Sequence, residues 1–280
     1  RLWDTTSGEE VAALAPTEGE SAAADAPVYS LAFHASGAFL ATAGQDGQIR
    51  LWDMASNEQI AALPSTGATV HATGRRGKLL TIEVGEGRPV LGLRFGMTGR
   101  LVLDGEAPIE RLEYASGRDD PAWDRFGLRF DDGSRLRLSD PRRLGGVELD
   151  PDLSRLGPDA ARVSAAQLRA ALAASAAPLK ARLLDQARLA GLGNLLVDET
   201  LWRAGVRPDR AAGALADDQV VLLAKAIRST VALLGRRGGS HRGDLQEQRV
   251  RGGHCPRDGE PLRRETVGGR TTYWCPAHQH

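Results

Sequence analysis

The chain has 280 residues, of which 41% are hydrophobic and 26% charged, and its 36 Lys/Arg balance 36 Asp/Glu. That is room for two domains with real cores and the composition of an ordinary soluble globular protein. It excludes a membrane span, since no apolar run approaches the roughly 20 residues required, and "RLWDTTSGEEV" lacks the pattern of a signal peptide. Two cysteines exclude a disulfide framework and make a reducing cytoplasm the expected setting. The first residue is Arg1 rather than Met, as in a fragment or a truncated reading frame.

The zero net charge conceals a gradient. Residues 1–66 carry two Lys/Arg against nine Asp/Glu, residues 67–178 seventeen against sixteen, and residues 179–280 seventeen against eleven. The basic end is where a polyanion would dock, although such an excess is also common on a plain solvated surface.

Residues 1–66 contain a repeat, since "RLWDTTSGEEVAAL" at 1–14 recurs as "RLWDMASNEQIAAL" at 50–63. The stretch between them alternates apolar and polar residues in short runs divided by Ser-Gly and Asp-Gly turns, which predicts antiparallel strands. With its Trp3-Asp4 and Trp52-Asp53 pairs it resembles a WD40 repeat, one blade and the tail of another. A propeller closes with 4–8 blades, so this is expected to be a fusion remnant or a docking strand for a protein partner. "APTEGESAAADAP" at 15–27 reads as a disordered acidic insert.

Residues 67–150 are β-rich runs divided by Gly-containing turns, with an Asp-Gly hairpin signal in "FDDGSRL". The expectation is an antiparallel β-sandwich or open barrel, N-terminally incomplete. Residues 151–245 turn helical. "SAAQLRAALAAS" opens on Ser164, a good N-cap, "LKARLLDQARLAGLGNLLVDETLWRAGVRPD" reads as helix, Gly-rich turn and helix, and "LADDQVVLLAKAIRSTVALLGRRGG" as an amphipathic helix ending at Gly-Gly. Residues 246–280 end the chain in a cysteine-bearing hairpin, giving an α+β protein overall.

Five phrases carry a resemblance: "RRGKLL" (75–80), "RFGMTGRL" (94–101), "DPRRLGG" (140–146), "LLDQARLAGLGNLLVDETLWRAGVRP" (183–208) and the terminal hairpin. In that order they resemble the formamidopyrimidine-DNA glycosylase and endonuclease VIII family over residues 64–280. The resemblance implies a base-excision-repair DNA glycosylase and AP lyase, monomeric and nucleoid-associated, that binds double-stranded DNA at a damaged or abasic site. The 183–208 phrase is similar to the family's helix–two-turn–helix element.

Each phrase has a physical reading beside the family one. In "GLGN" two glycines permit a tight turn before a helix whose free N–H groups would seat a phosphate, with Asn194 as cap and donor; the plainer reading is a helical hairpin with an Asn cap. Lys78 reads as a solvated edge lysine, or by resemblance as the lysine contacting DNA at the lesion. Met97 either packs in the sandwich core or stands at a loop tip, where it would fill the gap left by a flipped nucleotide. By resemblance Arg142 reads the opposite base or its phosphate, and Leu144 wedges between bases where an aromatic is usual. Arg270 matches the arginine inserted toward the lesion phosphate.

Family members carry two Cys-x2-Cys pairs sixteen residues apart. Here the same spacing holds Cys255, Asp258, Cys275 and His278, with residues 259–274 between. These four are the expected Zn2+ ligands, with His254 or His280 as substitutes; a zinc-free hairpin held by packing is the alternative. The family's nucleophile is an N-terminal proline followed by glutamate, and nothing in residues 1–66 matches that start. A non-catalytic DNA-binding protein with WD-like docking strands is therefore the rival expectation.

Overall fold

The computed structural model describes residues 2–3, 10–12, 14, 28–33, 39–44, 49–63, 70–84, 89–107, 118–130 and 132–280. The acidic insert at 15–27 lies outside the described residues, as does Asp4. The chain divides into two compact units, Arg1–Thr73 with Ile82–Leu149, and Gly74–Thr81 with Asp150–His280.

In the first unit, β1 (Leu2–Trp3) pairs antiparallel with β2 (Glu10–Ala12). Strands β3 (Val28–Phe33), β4 (Phe39–Gly44), β5 (Ile49–Asp53) and β6 (Gln59–Leu63) then form a four-stranded antiparallel meander in chain order. Leu40 and Trp52 are opposite each other in this register and both are buried. The Trp52 indole N–H donates to Thr42 Oγ1 at 2.8 Å, so burial leaves its one donor satisfied. The β5–β6 turn is built by Asp53, whose Oδ1 accepts from the amides of Ala55 and Ser56.

The sequence-expected strands after Gly67 are present. They are β7 (Val70–Arg76), β8 (Leu79–Val84), β9 (Val90–Arg94), β10 (Arg100–Leu103), β11 (Asp124–Arg129), β12 (Arg135–Ser139) and β13 (Gly146–Leu149). They form a four-stranded sheet, β13-β9-β8-β7, and a three-stranded sheet, β10-β12-β11. Ile82, Leu91 and Leu93 are buried on the former and Val102 and Leu138 on the latter. The Asp-Gly signal marks the β11–β12 hairpin: Asp132 accepts from the Ser134 amide, and Gly133 takes a φ of 86°. The tip of the β7–β8 hairpin, Gly74–Thr81, belongs to the second unit.

That unit packs α1 (Ala165–Leu172), α2 (Leu179–Leu184), α3 (Asn194–Ala204) and α4 (Asp217–Arg236) around Leu168, Leu179, Leu183, Val197, Leu201, Leu223 and Ile227. Ser164 caps α1 in a reciprocal capping box with Gln167, as its sequence predicts. Helix α3 ends at Gly205 with φ of 69°, the left-handed cap that glycine favours. Strands β14 (Arg263–Val267) and β15 (Arg270–Trp274) form the terminal hairpin. Its turn, Gly268-Gly269, has φ values of 59° and 72°. A Cβ on Gly268 would stand 2.7 Å from Ala181 Cβ, so only glycine lets the tip press on α2.

Candidate functional site

Three elements meet within the second unit. The Gly77-Lys78 turn of the β7–β8 hairpin is held by Asp159, which accepts from the Gly77 amide at 2.7 Å and pairs with Arg75 at 2.9 Å. Arg76 donates to the carbonyls of Leu156 and Gly157. Gly77 has φ of 60°, and a Cβ there would fall 2.7 Å from Ala190 Cβ and 2.9 Å from the Gly191 amide. The hairpin therefore lies backbone to backbone on the "GLGN" turn. Lys78 is exposed as a residue, yet its Nζ is 3.6 Å from the Cβ position of Gly193. Burial of the amine, and then the nearby Arg270 guanidinium, hold its pKa below the ordinary lysine value.

The second element is the start of α3. The N-cap is Gly193, with no side-chain cap bond, and Asn194 is the first helical residue. This corrects the expectation that Asn194 caps the helix: its Nδ2 instead donates to the Thr271 carbonyl at 3.1 Å. The first-turn N–H groups, which have no intrahelical acceptor, are thus left without a capping side chain. The third element is the hairpin tip, where Arg270 is exposed and begins β15.

A buried charge network supports this meeting. Lys180 and Asp198 have fully buried side chains and pair at 2.6 Å. Lys180 Nζ also donates to Thr272 Oγ1 at 2.8 Å and the Thr271 carbonyl at 3.1 Å. Asp198 Oδ2 accepts from Arg249 and from the Tyr273 amide at 3.3 Å. Burial lowers the Lys180 pKa against the opposing pull of Asp198. The Thr271 carbonyl accepts from both Lys180 and Asn194, so α2, α3 and β15 are tied at one atom beside Arg270. Sequence reading missed this network; the signal was the polar run Asp198-Glu199-Thr200 set between Val197 and Leu201 on α3.

The four expected ligands Cys255, Asp258, Cys275 and His278 come together, with ligand atoms all within 4.8 Å. His254 and His280 are not part of the group. A tetrahedral ion with bonds of about 2.0–2.3 Å would place its ligand atoms roughly 3.3–3.8 Å apart. The Cys275–Asp258 and Cys255–His278 separations are 3.4 and 3.8 Å, while Asp258 and His278 Nδ1 are hydrogen-bonded at 2.6 Å. His278 Nε2 lies 3.2 Å from the Trp202 carbonyl, which turns Nδ1 inward. The Trp202 indole N–H lies 3.3 Å from Cys255 Sγ, a donor suited to a thiolate. The donor set fits a divalent ion. Without one, the bond to His278 holds the Asp258 carboxyl well below the usual range, and burial pushes the Cys275 thiol up to about 11. A bound cation would reverse the thiol's preference.

In the first unit, Met97 and Leu144 are half exposed, at 50% and 49%. Met97 thus stands at a loop tip and is not a core residue. Arg142 is exposed, its Nη1 4.0 Å from Met97 Sδ. Both loops hang on Asp140, fully buried, which accepts from Thr98 Oγ1 (2.5 Å) and the amides of Arg142 (3.2 Å), Leu144 (2.7 Å) and Gly145 (2.6 Å). Burial pushes this carboxyl up, but the bonds outweigh it and its pKa is lowered.

A family model described as the formamidopyrimidine-DNA glycosylase H2TH domain matches residues 156–241, and one described as the formamidopyrimidine-DNA glycosylase N-terminal domain matches residues 31–147. Formamidopyrimidine-DNA glycosylase of Paracoccus denitrificans is 35% identical over 242 residues, covering 76% of this chain and 84% of that protein. The Rhizorhabdus wittichii protein of the same name is 36% identical over 241 residues, covering 76% and 83%. Among solved structures, Lactococcus lactis formamidopyrimidine-DNA glycosylase non-covalently bound to AP-site-containing DNA superposes with a TM-score of 0.62 at 29% identity, covering 77% of this chain and 83% of that one. The same protein with Fapy-dG-containing DNA gives 0.62 at 28%, with the same coverage. This chain belongs to the formamidopyrimidine-DNA glycosylase family. The match from residue 31 takes in Trp52-Asp53, and the WD40-like reading of residues 1–63 gains no support from these relatives.

Proposed function

We propose that this chain is a base-excision-repair protein of the glycosylase family that grips duplex DNA at a damaged or abasic site. The observation that carries the reading is the convergence of Lys78, the uncapped start of α3 and Arg270 within one unit. Helix N–H groups and a guanidinium are what a phosphate takes as ligands. Exposed apolar residues beside a cation, as at Met97, Leu144 and Arg142, suit a gap left in a base stack and the strand opposite it. In this reading the two sheets of the first unit are layers of a sandwich, and the protein acts as a monomer in the cytoplasm, on the nucleoid. Cys255, Asp258, Cys275 and His278 would hold Zn2+, whose contribution is a structural cross-link between the two ends of the hairpin that carries Arg270.

The test is a binding titration of duplexes with and without one tetrahydrofuran abasic-site analogue, repeated over a range of salt. Preference for the lesion duplex, with affinity falling steadily as salt rises, is expected. Equal affinity for both duplexes, or none for either, would reject the reading.

A second reading treats the β3–β6 meander as a docking module for a protein partner on a non-catalytic DNA binder. The observation that favours it is the meander itself, a four-stranded antiparallel sheet in chain order with Trp52 buried and bonded to Thr42.

A further inference from the structure

We propose that Met97 is an oxidation site: a peroxide converts its thioether to a sulfoxide, Arg142 holds the new oxygen, and the chain loses affinity for lesion-bearing DNA. The loss of affinity rests on the lesion-binding reading above. The first support is a census of sulfur. The sequence has four sulfur side chains, Met54, Met97, Cys255 and Cys275. Both cysteines are buried, and buried thiols are inert beside exposed ones. Met54, in the β5–β6 turn, is partly buried. Met97, half exposed at its loop tip, is the most open sulfur of the four.

The second support is a fixed partner. Arg142 Nη1 lies 4.0 Å from Met97 Sδ, and a thioether is only a weak acceptor. A sulfoxide oxygen projects from that sulfur and accepts far better, so the guanidinium can donate to it as a charge-assisted bond with little movement. The two loops are built to keep these groups together. The Gly99 amide donates to the Phe95 carbonyl at 2.7 Å and closes the turn that carries Met97. Gly96 has φ of 58°, and a Cβ there would fall 2.6 Å from the Leu144 carbonyl carbon, so the loops press backbone to backbone. Asp140 then fastens both, through Thr98 on one and the Arg142 amide on the other.

The oxidant is hydrogen peroxide. The Met97 sulfur lone pair attacks its near oxygen, and the O–O bond breaks. The far oxygen leaves with that electron pair as hydroxide and takes the proton of the near oxygen. The thioether is thereby oxidised to the sulfoxide, and the peroxide is reduced to water. The side chain becomes polar and unsuited to a gap in a base stack, while the Arg142 charge turns to the sulfoxide and away from the strand opposite. Methionine sulfoxide reductases restore the thioether, so the site acts as a reversible brake on lesion binding.

The test is graded hydrogen peroxide treatment of the full chain, with removal of the peroxide, mass-spectrometric mapping and titration of the tetrahydrofuran duplex at each dose. Met97 sulfoxide is expected before Met54 sulfoxide and before oxidation of either cysteine. Affinity should fall about tenfold as Met97 converts and recover after a methionine sulfoxide reductase is added. Each variant is compared with itself, treated against untreated. Treatment should leave the affinity of Met97→Leu where it was, lower that of Met54→Leu as in the parent, and lower that of Arg142→Ala less. Earlier oxidation of Met54 or a cysteine, full conversion of Met97 with unchanged affinity, or a fall as deep in Met97→Leu or Arg142→Ala would overturn the proposal. Failure of the untreated chain to prefer the tetrahydrofuran duplex would instead overturn the lesion-binding reading and this inference with it.

Discussion

In each unit a buried carboxylate lies beneath an exposed surface, Asp140 in the first and Asp198 in the second, and the two are satisfied differently. Asp140, under Met97, Arg142 and Leu144, is met only by neutral donors, three amides and a hydroxyl. Asp198, under Arg270 and the start of α3, is met by two cations, Lys180 and Arg249, and by one amide. Neutral donors gather two loops around one charge without adding another, which suits a surface that presents apolar side chains. A buried ion pair stakes far more on geometry, because either partner left alone is an uncompensated charge in a dry interior. The cationic surface is thus expected to be the more fragile of the two.

That contrast can be broken at its strong end by Lys180→Met. Removing the ammonium should destabilise the protein by about 3–5 kcal/mol, read as a fall in Tm, and should weaken binding to the lesion duplex as the β15 anchor loosens. A loss under about 1 kcal/mol would mean the network is incidental.

Asp140→Asn should cost less, about 1–3 kcal/mol, since the amide keeps the shape but loses charge-assisted bonds. The pH dependence carries a definite sign. The folded-state pKa of Asp140 is depressed, so its stabilisation is present above the ordinary aspartate value near 4 and is lost as pH falls through the lowered one. Denaturation at pH 7 and at pH 3 should show the wild-type advantage over Asp140→Asn shrinking at the lower pH; a growing advantage would contradict the assignment.

Trp202→Phe should change folding stability least while weakening the Zn2+ affinity proposed for Cys255, Asp258, Cys275 and His278. It removes the indole donor to Cys255 Sγ and keeps the ring against His278. Loss of such a supporting bond typically weakens metal affinity roughly 10–100-fold, which competition with a chromophoric zinc chelator would measure. An unchanged affinity would leave Trp202 a packing residue only.

What the sequence made legible follows distance along the chain. The candidate metal group could be read because its four residues come as two close pairs, each pair within one short turn. The "GLGN" turn and the caps at Ser164 and Gly205 were legible for the same reason, since their partners lie within a few residues. Asp140 stood inside a recognised phrase, yet its role depends on Thr98, 42 residues away. The Lys180–Asp198 pair joins residues 18 apart, and its further partners, Arg249 and Thr272, lie on segments that only folding brings near. Asn194 shows the limit most plainly. Local rules favour an Asn cap, but the Thr271 carbonyl, 77 residues away, wins its side chain and leaves Gly193 as the cap.

The most direct test of the central claim is hydrogen exchange on the protein with and without a duplex carrying a tetrahydrofuran site. If the second unit's cationic surface grips a lesion, protection on binding will appear together in residues 76–79 and 193–196 and at the tip around 268–271. Protection absent from any of these three segments, or an intact duplex giving the same pattern at equal occupancy, would contradict the lesion-binding role.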